Sequence, residues 1–131
     1  MHNSNLFETL STFSKEDFKR FGDLVRSPFF NTNPSLVNLY DLLKKYFPEI
    51  SHKSLKKDNV FKRIFPGENY NDNRMRLLIH RLNALAEEYL AQVGIENNNY
   101  WQKIFLLQSL KSKRLFKAYD KHLKEARIIN E

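Results

Sequence analysis

Cysteine is absent from the 131 residues, which removes disulfide frameworks, thiolate zinc sites, iron–sulfur clusters and cysteine nucleophiles together. Glycine occurs three times and proline four times. So few turn residues cannot supply the many tight turns of a sandwich or a barrel, nor a Gly-rich phosphate loop. No run approaches the roughly 20 apolar residues that a bilayer-spanning helix needs. The first five residues carry no basic segment, and the apolar residues after them are broken by Glu8, Thr9, Ser11 and Thr12. No signal peptide is expected, and the cytoplasm is the expected compartment.

What is present is apolar and basic. Hydrophobic residues make up 41% of the chain and aromatics 14%, with 11 Phe, enough for a packed core and too much for global disorder. The length fits one domain, or one domain with part of a neighbour. Lys and Arg number 22 against 15 Asp and Glu, a net charge of +7 that is spread unevenly. Residues 1–50 are balanced, 51–82 carry +5, 83–99 carry −3 and 100–131 carry +5. Concentrated positive charge can attract nucleic acid or an anionic surface, and it also keeps an ordinary domain soluble.

Periodicity and capping signals predict helices throughout. Asn5 and Glu8 have capping-box spacing for a short helix over 6–11. Ser14 caps a helix over 15–26, with Glu16 and Asp17 in its first turn and Phe13 and Phe18 as a hydrophobic staple; Ser27 before Pro28 stops it. Asn33-Pro34 opens the next helix, whose stripe is Leu36, Leu39, Tyr40, Leu43, Tyr46 and Phe47 and which Pro48 ends. Phe29 and Phe30, in the connection, are expected to plug the core. After a loop at Ser51-His52-Lys53-Ser54, a helix over about 55–65 runs to Pro66-Gly67.

The longest helix is expected over 72–93, capped by Asn71 or Asp72, with Met75, Leu78, Leu82, Leu85, Tyr89 and Val93 as its seam and Gly94 at its left-handed stop. Leu77, Ile79, Ala84, Ala86 and Leu90 widen the apolar surface, so contact on two sides is expected. Two helices follow, one over about 100–111 carrying Trp101, Ile104, Phe105, Leu107 and Gln108, the other from about 113 with Leu115, Phe116, Tyr119, Leu123 and Ala126 expected to be buried, and with a joint near Ser112. No stop signal follows Ile128-Ile129, which reads as a chain that continues or as an interface.

The chemistry-bearing residues do not assemble a catalytic signature. His2, His52, His80 and His122 are far apart with no metal-ligand spacing, there is no Gly-x-Ser-x-Gly elbow, and Glu87 and Glu88 diverge by about 100° on a helix. The reading is therefore not an enzyme, with no cofactor, no metal and no small-molecule substrate. The most pointed arrangement is a helix, a connection and a second helix opening at Asp72-Asn73-Arg74-Met75-Arg76, which resembles helix-turn-helix order. In that reading Asn73, Arg74 and Arg76 contact bases or phosphate, and Lys62 and Arg63 hold the backbone. Arg76-Leu77-Leu78-Ile79-His80-Arg81-Leu82 resembles the recognition helix of winged-helix activators, although the connection is longer than in that motif and no β-hairpin wing follows. Lys113, Lys117, Lys121 and Lys124 recur on one face of the last helix, as a phosphate stripe or as its solvent side.

Phe18-Lys-Arg-Phe, Ser27-Pro-Phe-Phe-Asn31, Val60-Phe-Lys-Arg-Ile-Phe-Pro-Gly67 and Tyr70-Asn-Asp72 resemble the N-terminal region of longer, mostly helical bacterial proteins of unknown function, over about residues 13–93. The resemblance implies a fragment of a longer helical protein and brings no site residue. The expected fold is an all-α orthogonal bundle of five to six helices, with a long central helix and a C-terminal helical hairpin. Residues 1–96 form the bundle and 97–131 the hairpin, as the start of a longer helical region. The expected role is a non-catalytic interaction module of a larger cytoplasmic protein, docking a protein partner or its own C-terminal part through Leu115, Phe116, Ile128 and Ile129. The alternative is a DNA-binding module.

Overall fold

The computed structural model of the protein describes residues 5–50 and 55–130, with side chains as far as Arg127. The loop expected at Ser51-His52-Lys53-Ser54 and the side chains of Ile128 and Ile129 lie outside the described residues. Among the described residues there are seven helices and no strand, so the chain is all-α. The helices are α1 (Asn5–Ser11), α2 (Lys15–Arg26), α3 (Pro34–Lys44), α4 (Lys57–Ile64), α5 (Asp72–Glu96), α6 (Asn99–Ser112) and α7 (Phe116–Asn130). Two compact units divide the chain, Met1–Tyr89 and Leu90–Glu131. The boundary falls inside α5.

In the first unit the capping signals act as their chemistry dictates. The Asp17 amide donates to Ser14 Oγ at 3.0 Å while Asp17 Oδ2 accepts from the Ser14 amide at 3.1 Å, a closed capping box that satisfies two orphan donors of α2. Asn33 Oδ1 accepts from the Ser35 amide, with Pro34 at the first helical position where no amide proton is needed. Phe18, Phe21, Leu24 and Val25 of α2 are buried, as are Leu36, Leu39, Tyr40, Leu42 and Leu43 of α3. Tyr46 and Phe47 fall past the end of α3, where the Phe47 ring stacks on Phe18 at 4.2 Å.

The two helices approach closely at Gly22. A Cβ there would lie 2.5 Å from Tyr40 Cζ and 2.7 Å from Cε1. The Tyr40 ring fills that space and its hydroxyl donates to the Phe18 carbonyl at 2.6 Å, the partner a buried hydroxyl requires. Phe18 stacks on Tyr40 at 4.8 Å, and Phe21 meets it edge-on at 5.7 Å. From α5, Tyr89 packs against Phe13 at 5.4 Å and donates its hydroxyl to Asp17 Oδ1 at 2.8 Å. That bond, with those from Ser14, holds the Asp17 carboxyl below its ordinary range.

Three expectations are corrected. Phe29 does not plug the core: it is 88% exposed and Phe30 is half-buried. The loop is braced by polar bonds instead, the Asn31 amide donating to the carbonyls of Val25 and Asn33 and accepting from the Asn33 amide. Second, α5 is buried on one face, through Met75, Leu78, Ile79, Leu82, Ala86 and Tyr89, while Leu77 is 46% exposed on the opposite side. Third, Gly94 does not end α5, which continues to Glu96. Its last carbonyls, of Ile95 and Glu96, accept from the Gln102 side-chain amide at 2.8 and 2.9 Å, so no left-handed glycine is needed. Pro66-Gly67 does end α4 as expected, with Gly67 at φ 81°.

Opposite outcomes are expected for one substitution at two helical positions. Gly94→Ala, where a Cβ meets nothing within 4 Å, should stabilise the protein by about 0.5–1 kcal/mol. Gly22→Ala should destabilise it by about 1–3 kcal/mol, because the buried Tyr40 ring has no room to retreat; denaturant unfolding measures both. Tyr89→Phe should cost about 1 kcal/mol at neutral pH. It should also shrink the stability lost in acid: a depressed folded pKa contributes stability above the ordinary value of 3.8 that disappears as pH falls through the folded value. Unfolding curves at neutral pH and below about pH 4 check that sign.

Candidate interaction surfaces

The first candidate is the start of α5. Asn71 caps it, its Oδ1 accepting from the Arg74 amide at 3.1 Å, and Asn73, Arg74 and Arg76 are exposed on the first turns. Both arginines are already engaged. Arg74 Nη1 donates to Glu68 Oε2 at 2.6 Å and its guanidinium lies 3.7 Å from the centre of the Phe65 ring; Arg76 Nε is 2.7 Å from Asp72 Oδ2. Tyr70 donates to Asp72 Oδ1 at 2.7 Å, and that bond, ahead of Arg76 and Lys57, holds the Asp72 carboxyl below its ordinary range. Lys62 and Arg63 are exposed on α4, but Arg63 lines a shallow depression of about 200 Å³ with Asn38 and Asp41 of α3 and Lys45 just past its end. The five residues are thus accessible, yet their neighbours differ and two of them face carboxylates.

The second candidate is the α6–α7 hairpin. Asn98 caps α6, accepting from the Trp101 amide at 3.0 Å. At the other end the Leu115 amide donates to the Leu110 carbonyl at 2.9 Å and the Arg114 amide to Lys111 at 3.0 Å. This is a Schellman closure, with Arg114 at φ 61° where glycine is usual. Lys103 Nζ, on α6, lies 2.5 Å from Glu125 Oε2 and 2.8 Å from His122 Nδ1 on α7. The Lys103 bond is the main cause holding the Glu125 carboxyl below its ordinary range. Sequence spacing gives no hint of this cluster, because its members are paired only once the hairpin closes.

Leu107 and Ala126 are buried in this unit, whereas Trp101 is 50%, Leu115 50% and Phe116 53% exposed. Phe105 lies about 200° around α6 from Leu107, so that helix is apolar on two sides and one is open. The expected partner-binding residues Leu115 and Phe116 are therefore on the surface, at the closed end of the hairpin. Lys113, Lys117, Lys121 and Lys124 are exposed too.

A third feature is a groove of about 1080 Å³ beside α2. Phe13, Phe18 and Tyr40 floor it, and Lys15, Lys19, Arg20 and Lys44 share its rim with Glu16 and Asp23. Among the described residues no group of three His, Asp or Glu could hold a metal ion, and no helix is long and apolar enough to cross a membrane. Comparison with family models, curated proteins and solved structures found no match to this chain.

The joint generates a test. Arg114→Gly should stabilise the hairpin by about 1 kcal/mol, since glycine adopts the left-handed conformation without the Cβ penalty. A thermal or denaturant midpoint that falls on this substitution would show that the Arg114 side chain contributes more than its backbone costs.

Proposed function

We propose that this protein is a non-catalytic helical interaction module of a larger cytoplasmic protein, an orthogonal bundle carrying a helical hairpin. It docks a protein partner, or a further part of its own polypeptide, through the apolar surface of that hairpin. One observation carries the reading: the imbalance in burial between the two units. Among the described residues, only two of the 24 buried apolar side chains, Leu107 and Ala126, belong to the second unit, whereas eight of the eleven exposed large hydrophobics do. Apolar area left in water at that density marks a surface that another macromolecule covers. Phe116 is its most exposed member, with Leu115 and Trp101 next, and the expected contribution of Ile128 and Ile129 stays part of the proposal.

A second reading, DNA binding by Asn73, Arg74, Arg76, Lys62 and Arg63, is supported by the exposure of the α5 end. It is weakened by Glu68 and Asp72, which already occupy the arginines and repel phosphate.

Photo-crosslinking in the cell discriminates the first reading. A benzophenone side chain at position 116 should join to a partner far more efficiently than one at position 29, which is at least as exposed; equal yields at both would overturn the docking role. Duplex titration at two salt concentrations addresses the second. DNA binding requires a steep loss of affinity with salt, with Arg76→Ala lowering the slope by about one unit, and is ended by no binding at low salt.

A further inference from the structure

Between Glu96 and Asp120 the sequence holds five cations and no acidic residue. Lys103 is matched by Glu125. The other four, Lys111, Lys113, Arg114 and Lys117, are exposed. No carboxylate among the described residues comes within ion-pair distance of them. They crowd one place: Lys111 in the last turn of α6, Lys113 and Arg114 in the joint, and Lys117 in the first turn of α7. Leu115 and Phe116, half-exposed, lie among them in sequence. The backbone bonds of the Schellman closure fix this end, so the group is presented on a set turn.

The other exposed features lack this combination. The side of α6 that carries Trp101 and Phe105 holds uncharged polar residues, Gln102, Gln108, Ser109 and Ser112. Phe29 stands near Arg26, which is paired with Asp41. In the groove beside α2 the floor rings are already buried, and Glu16 and Asp23 offset the rim cations.

Resting on the interaction-module reading, we propose that the closed end of the α6–α7 hairpin docks an acidic amphipathic segment of a protein partner. Its apolar side chains cover Leu115 and Phe116, and its carboxylates meet Lys111, Lys113, Arg114 and Lys117. Lys117, Lys121 and Lys124 extend the positive charge along one side of α7 for about 10 Å, offset in part by Asp120 beside them. Such a line suits a segment lying along the helix better than it suits a flat lipid surface. A nucleic-acid duplex would satisfy the cations and leave the Leu115 and Phe116 side chains in water, and a single strand, which can stack a base on Phe116, offers Leu115 no aliphatic partner. The complementary pattern of apolar centre and charged rim is that of specific protein interfaces.

The test uses the full chain and two labelled helical peptides of equal length, one with a leucine face and glutamate elsewhere, the other with lysine in place of every glutamate. Fluorescence anisotropy should show binding of the acidic peptide alone. Lys113→Glu/Lys117→Glu should weaken it at least about tenfold, and the control Lys44→Glu/Lys45→Glu, with the same change in net charge, less than about twofold. Phe116→Ser should weaken it about tenfold without altering the circular-dichroism melting curve. Equal effects of the two double variants, no effect of Phe116→Ser, or no binding of the acidic peptide would overturn the proposal. So would tighter binding to phosphatidylserine vesicles or to a single-stranded oligonucleotide than to the acidic peptide. If position 116 still crosslinks to a partner while the acidic peptide fails, the interaction module stands and this inference alone falls.

Discussion

The close approach of α2 and α3 is the constraint on which the first unit depends. With no side chain at Gly22, the Tyr40 ring lies directly on α2, and its hydroxyl finds the Phe18 carbonyl inside the core. That placement organises the rings around it: Phe47 on Phe18, Phe18 on Tyr40, and Phe21 edge-on to Tyr40 and to Phe13. The chain of rings ends at Tyr89, whose hydroxyl bonds Asp17. One carboxylate therefore does two jobs. Its Oδ2 closes the capping box that starts α2, and its Oδ1 fixes α5, 72 residues away, to the same turn. Local helix initiation and long-range packing share a side chain, so disturbing either is felt by both.

The second unit is held by different means. Among the described residues it has two buried apolar side chains, and its order comes largely from satisfied helix ends. Gln102 closes α5, Asn98 opens α6, and the Arg114 turn closes α6. A cross-helix cluster of Lys103, His122 and Glu125 joins the two arms. Such contacts fix conformation but remove little apolar area from water. A hairpin of this kind keeps its greasy side chains available, which is what a docking element needs.

The sequence made the helices legible wherever the signal was local. The Ser14 box, the Asn33-Pro34 start and the Pro66-Gly67 stop each follow from a few adjacent residues, and so does the stripe from Met75 to Tyr89. What could not be read depended on residues distant in the chain. Gly94 resembles a helix stop until the helix runs past it to Glu96 and Gln102, from the next helix, bonds the final carbonyls of Ile95 and Glu96. Phe29 and Phe30 resemble core plugs until Asn31 braces their loop with polar bonds. Gly22 shows its role only against Tyr40. Among the candidate site residues, the exposure of Asn73, Arg74 and Arg76 agrees with their positions outside the apolar stripe of α5, whereas Leu115 and Phe116, expected in the buried stripe of the last helix with Tyr119, Leu123 and Ala126, are half-exposed at the joint, ahead of the turns of α7 that pack. That Glu68 and Asp72 engage the two arginines depends on how the connection before α5 folds.

Electrostatics in the hairpin follow from where its few carboxylates fall. Glu125 lies three residues after His122 on α7 and reaches Lys103, a cation largely withdrawn from water, which needs a partner more than an exposed lysine does. That pairing gives the shielded Lys103 ammonium a carboxylate that is itself partly in water. It leaves Lys111, Lys113, Arg114 and Lys117 unbalanced at the other end. Exposed like charges so close in sequence repel one another modestly in water. The arrangement is therefore tolerable in the free protein, and it is relieved when opposite charge approaches. Hydrophobic exposure at Leu115 and Phe116 adds a second unfavourable element at the same end, so a single covering segment relieves both.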